Sequence, residues 1–72
     1  MEEKDPPGDA PFERLLRIAE VMRLTGLSKS TIHRKWRSGE FPAPLKLFRD
    51  GRAFGWKQSE ILDWMRSRER AE

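Results

Sequence analysis

Residues 24–40 read "LTGLSKSTIHRKWRSGE". Gly26 accepts the left-handed backbone that ends a helix. Ser28, two residues on, offers a hydroxyl to the unpaired N–H groups that begin the next one. The stretch therefore predicts two helices joined by a tight turn, the second running from about Lys29 to Ser38 and stopped by Gly39. Within that second helix Ile32 and Trp36 are four residues apart and share a face that must be buried. Ser30, His33, Arg34 and Arg37 fall at i, i+3, i+4 and i+7 and share the opposite face. The positive charge is thus gathered into one outward stripe.

Upstream, Ile18, Val21 and Met22 recur at the spacing of one helix face, which predicts a first helix from about Ile18 to Thr25. Leu15 and Leu16 before it read as a short extended segment. Downstream, Pro42 and Pro44 hold residues 40–44 extended, and Phe41 between them and the helix reads as a core anchor. "LKLF" and "AFGW" then flank "RDGR". Asp-Gly between two apolar runs signals a hairpin, with strands at about 45–48 and 53–56 and Arg49 and Arg52 at the tip. Ile61, Leu62, Trp64 and Met65 give a third helix, from about Gln58 to Arg68, a broad apolar side. The expected core gathers Ile18, Val21, Met22, Leu27, Ile32, Trp36, Phe41, Trp56, Ile61 and Met65.

The charge is divided along the chain. Glu2, Glu3, Asp5, Asp9 and Glu13 against Lys4 make residues 1–13 net −4, and 14 Lys/Arg against 7 Asp/Glu make residues 14–72 net +7. Residues 1–13 are polar, with Pro and Gly, and read as a flexible acidic tail. Residues 14–70 read as one small domain whose basic surface fits a polyanion. A chain of 72 residues with three Trp and four Phe can pack a thin core without staples.

Other chemistries find little support. With no cysteine in the chain, disulfides and thiolate metal sites are excluded. His33 is the sole histidine and has no clustered carboxylates beside it, so no metal and no cofactor is expected. No nucleophile–base pair or phosphate-cradling glycine loop is present, so the protein is not expected to be an enzyme. The three tryptophans sit on apolar faces and read as core rather than as stacking platforms. No apolar run spans a bilayer and no secretory signal is read, so a cytoplasmic protein is expected.

Helix, tight turn, basic helix, loop, hairpin and helix together make a winged helix-turn-helix: mainly α with a small β-hairpin, three helices plus a wing. "LLRIAEVMRLTGLSKSTIHRKWRSGEFPAPLKL" (15–47) with "GRAFGWKQSEILDWM" (51–65) resembles the AlpA-type prophage regulators, within the broader MerR-like and excisionase-like winged-helix group. "TGLSKSTI", "GEFPAP" and "GRAFGW…SEI..W" carry the likeness. Two features depart from it: the tip "FRDGR" is longer than is usual there, and Lys35 stands where an apolar residue is common.

The resemblance implies a double-stranded DNA-binding transcriptional regulator, working at the nucleoid. Its recognition helix, about 29–38, would present Ser28, Lys29, Ser30, Thr31, His33, Arg34 and Arg37 to the major groove. Its wing, about 45–56, would lay Lys46, Arg49 and Arg52 on the backbone or in the minor groove. One alternative is an excisionase-like directionality factor that bends DNA for an integrase. A second is a protein-interaction adaptor without DNA binding. Integrase and RNA polymerase are the expected protein partners. No long dimerisation helix is read, so a monomer in solution that loads cooperatively on DNA is expected.

Overall fold

The structure, a computed structural model, describes residues 13–71. The flexible tail expected at 1–13 lies, except for Glu13, outside the described residues. The elements run β1 (Leu15–Leu16), α1 (Ile18–Thr25), α2 (Lys29–Arg37), β2 (Leu45–Lys46), β3 (Phe54–Lys57) and α3 (Gln58–Arg66). Three helices and a small antiparallel sheet make a winged-helix-like arrangement, as the sequence predicts.

The turn between α1 and α2 forms for the expected reasons. Gly26 adopts φ 78° and its N–H bonds the Met22 carbonyl. Thr25 Oγ1 donates to the Val21 carbonyl at 2.8 Å and accepts from the Leu27 N–H at 3.2 Å. Ser28 Oγ then accepts from the Thr31 N–H at 3.2 Å and caps α2. At the far end of α2, Gly39 N–H reaches Trp36 O at 3.1 Å and Glu40 N–H reaches Lys35 O at 2.8 Å. This pair of crossed bonds is the Schellman stop, and it requires the positive φ of 85° that Gly39 supplies.

The sheet holds one strand more than the predicted hairpin. Its order is β1-β3-β2, with β3 central. Leu16 pairs with Trp56 and Leu15 with Lys57, while Leu45 pairs with Gly55 and Lys46 with Phe54. The hairpin strands are shorter than predicted at the tip, because residues 48–51 are taken up by a turn closed by Gly51 N–H to Phe48 O at 3.0 Å. The third helix also ends two residues early. Ser67 Oγ and Arg68 Nε both donate to the Trp64 carbonyl, at 2.8 and 3.1 Å, and side chains thereby take over the end of the ladder.

Among the described residues six side chains form the buried core: Leu16, Val21, Ile32, Phe41, Trp56 and Ile61. Ile18, Met22, Leu27, Trp36, Trp64 and Met65 pack around them and are only partly buried. Leu16 was not among the expected core residues. It is buried because β1 pairs with β3, which turns it onto the face of Trp56. Trp36, expected among the buried core residues, sits at the rim. Its ring lies 6.1 Å from that of Trp56 at 89° and 5.6 Å from that of Phe54. Loop 40–44 is pinned by two indoles: Trp56 Nε1 donates to Pro42 O at 2.8 Å and Trp64 Nε1 to Glu40 O at 2.9 Å. Phe41 between them packs edge-on to Trp64, with centroids 4.7 Å apart.

These positions separate the tryptophans energetically. Trp56→Ala removes a ring that is 1% exposed and leaves the Pro42 carbonyl without its donor. A loss of about 3–5 kcal/mol is expected, a large share of the stability of a small domain. Trp36→Ala should cost clearly less, because its ring is only partly buried. Denaturant titration of both variants checks this order; equal losses would contradict it.

Candidate nucleic-acid interface

The outward side of α2 forms an open groove lined by Ser28, Lys29, Ser30, His33, Arg34 and Arg37. Six of the seven residues predicted for this helix are therefore brought together on one surface. Thr31 is not among them. It is half-buried, and its Oγ1 accepts from Ser28 Oγ at 2.9 Å, so its hydroxyl belongs to the helix cap. The Ser28 hydroxyl is committed to the same cap, which leaves Lys29, Ser30, His33, Arg34 and Arg37 as the side chains open to a partner.

A second, narrower cleft of about 230 Å³ lies between α2 and the wing. Arg17, Lys29, His33 and Arg52 supply its polar lining, and Trp36, Phe54 and Trp56 supply aromatic walls. Lys29 and His33 line both the cleft and the groove, so the two surfaces are continuous. His33 rests against Trp36 with ring centroids 5.1 Å apart. This aromatic series from His33 through Trp36 to Phe54 couples the orientation of α2 to that of the wing. Arg52 thus joins the α2 surface, whereas Lys46 and Arg49 stand exposed along the wing and line neither recess.

Sequence reasoning missed Arg17. It is the residue that precedes α1, 35 positions before Arg52 in the chain. Only the pairing of β1 with β3 brings them to one cleft. Phe54 was read as strand without a role and is a wall of the same recess.

The electrostatics favour an anion on this side. Among the described residues the side-chain ion pairs are Arg14–Glu20 at 2.6 Å, Lys35–Glu40 at 2.9 Å and Arg66–Asp63 at 2.9 Å. None of them uses Arg17, Lys29, Arg34, Arg37, Lys46, Arg49 or Arg52. Two of the C-terminal arginines are engaged at home instead: Arg66 pairs with Asp63, and Arg68 lies 4.5 Å over the Trp64 ring. Lys35, the departure noted in the sequence, turns away from the groove to Glu40.

Two carboxylates titrate below the ordinary glutamate range, and neither lines the groove or the cleft. Glu13 is lowered chiefly because the Ser59 backbone N–H donates to it, then by the Ser59 hydroxyl. The distances are 3.0 Å to Oε2 and 2.8 Å to Oε1. The sequence puts Glu13 in the tail, yet its carboxylate covers the first turn of α3, where Lys57 provides no side-chain cap. Glu40 is lowered by its bond to Lys35 and then by the Ser38 hydroxyl. No helix among the described residues is long and apolar enough to cross a membrane.

Residues 14–69 match the family described as prophage CP4-57 regulatory protein (AlpA). The chain is also 46% identical over 63 residues to an uncharacterized protein, ORF88, of Enterobacteria phage P4, an alignment that covers 88% of this chain and 69% of that protein. No solved structure matches it.

The Glu13 cap has a pH signature. Its folded value lies below the ordinary 4.5, so its contribution is complete above that value. It is lost as pH falls through the folded value. Glu13→Gln is therefore expected to lower the melting temperature at neutral pH, with the gap from wild type closing as the pH falls below 4.5 and through the lowered value. A gap of constant size from neutral to acid pH would contradict the cap.

Proposed function

The chain belongs to the AlpA family of prophage regulatory proteins, and from that premise we propose that it is a sequence-specific double-stranded DNA-binding transcriptional regulator. The observation that carries this reading is the uninterrupted cationic surface of α2 and the adjoining cleft, free of carboxylate partners among the described residues. A major groove admits one α-helix. With α2 inserted, Arg34 and Arg37 on its outward stripe reach base edges, where a guanidinium donates twice to guanine. Ser30 and His33 make shorter polar contacts beside them. Lys29, in the first turn, meets a phosphate near the helix N-terminus, where the backbone dipole favours an anion.

The wing completes the grip. Arg52 and Arg17 close on the phosphates across the cleft, and Lys46 and Arg49 follow the backbone. A single helix and wing read few base pairs, and matched pairs contribute only roughly 1–3 kcal/mol each. Several monomers on neighbouring sites gain from effective concentration, so cooperative loading is part of the proposal. Regulation then follows from where the bound copies lie relative to RNA polymerase.

Base-reading and backbone-holding residues give different losses. Arg34→Ala should weaken binding to a selected duplex by about 1–3 kcal/mol and random duplex much less. Arg52→Ala should weaken both alike and reduce the slope of log affinity against log salt by about 0.9. Titrations at several salt concentrations measure both. Unchanged binding by Arg34→Ala on both duplexes would contradict the assignment of α2.

A further inference from the structure

We infer that Phe48, at the tip of the wing, is an apolar wedge that enters the minor groove, unstacks a base step and bends the DNA. The inference rests on duplex binding through α2 and adds a residue and a deformation to it. Phe48 is 66% exposed, against 42–43% for Leu15, Leu24 and Leu45, the other large apolar side chains open to solvent among the described residues. Turn positions are ordinarily filled by Gly, Pro, Asn, Asp or Ser, each for a backbone reason. At this turn Asp50 and Gly51 meet those needs. Asp50 Oδ1 accepts from the Arg52 N–H at 3.0 Å and Gly51 takes φ 72°. Phe48 supplies only a backbone carbonyl, which any residue could supply, so its ring has no structural task in the turn.

The ring is carried on a fixed platform. Gly51 N–H bonds Phe48 O at 3.0 Å and Leu47 N–H bonds Ala53 O at 2.9 Å. The Lys46 side chain runs back along the hairpin to Gly51. The alternation of the strand separates two faces. Leu47 closes over Gly55, where an added Cβ would meet it at 3.3 Å, and Leu45 pairs with Gly55 on that side. Lys46 falls on the other side, with Phe54, and Phe48 lies beyond the strand, at the start of the turn. In the chain Phe48 stands among the wing's cations, Lys46, Arg49 and Arg52, while the tip's one carboxylate, Asp50, is turned to the Arg52 N–H. An apolar tip flanked by cations is complementary to a polyanion with stacked bases inside it. Proteins that insert Phe between base steps kink the duplex by roughly 20–90°, and pyrimidine–purine steps yield most easily.

The test uses the full chain and a duplex selected by it from a random pool, labelled at its ends for energy transfer, with 2-aminopurine placed at pyrimidine–purine steps in the wing's footprint. Wild type should shorten the end-to-end distance and brighten one 2-aminopurine. Phe48→Ala should lose both signals while keeping most of its affinity, and Phe48→Leu should retain a partial bend. Circular dichroism checks that the variants fold, which an exposed position makes the expected result. A wild-type complex that is tight but straight would overturn the wedge and leave the function standing. An undiminished bend in Phe48→Ala would also overturn it. So would loss of multi-copy loading with the bend intact, which would make Phe48 a protein contact. Failure of the chain to select any duplex, or Arg34→Ala binding like wild type, would instead strike the reading on which the inference rests.

Discussion

The indole of Trp56 holds together three pieces of chain that could not hold themselves. It stands on the central strand, pairs across to Leu16, meets Trp36 at a right angle and donates to the Pro42 carbonyl. β1 and β2 are two residues each, too short to persist without a partner. Loop 40–44 contains two prolines and cannot bond itself. Burial of one large ring, with its single polar atom satisfied, is the least costly way for so small a domain to fix all of them. The groove, the cleft and the wing keep one geometry because each touches this ring or its neighbour Trp36.

That constraint explains the distribution of charge. With the aromatic cluster inside, α2 has one face left for solvent, and that face carries the cations. Four carboxylates are engaged away from that face: Glu13 on the first turn of α3, Glu20 with Arg14, Glu40 with Lys35, Asp63 with Arg66. Exposed pairs of this kind contribute little stability. Among the described residues no ion pair takes up Lys29, Arg34, Arg37, Lys46, Arg49 or Arg52, which favours an anionic partner on that side.

How much was legible in the sequence depended on how local the cause was. Gly26, Ser28 and Gly39 act on their own turns, and α1 and α2 appear where those residues predicted them. The Asp50-Gly51 turn announced the hairpin for the same reason. β1 was visible only as an extended pair of leucines, because its partner lies some 40 residues away. Leu16 and Arg17 were misjudged with it: burial of the one and the cleft position of the other follow from that pairing. Trp36 shares a helix face with Ile32, as spacing required. Spacing does not say how far a ring of that size extends past the edge of a core this thin. Glu13 looked like tail because composition averages over a segment, whereas its carboxylate meets one particular N–H. Of the candidate site, the α2 stripe was legible from helical periodicity alone, and the continuity of that stripe with Arg52 and Arg17 was not.

We propose that one face, comprising the outer side of α2, the cleft and the wing tip, receives the DNA. Titrating isotope-labelled protein with a selected duplex and following backbone amide shifts tests it directly. The largest changes are expected at Lys29, Ser30, His33, Arg34, Arg37 and residues 48–52, with smaller ones at Arg17. Residues 60–66 of α3, Ser67 and Ala43 should stay nearly still. Changes centred on α3 and the outer sheet face, with α2 unmoved, would contradict it.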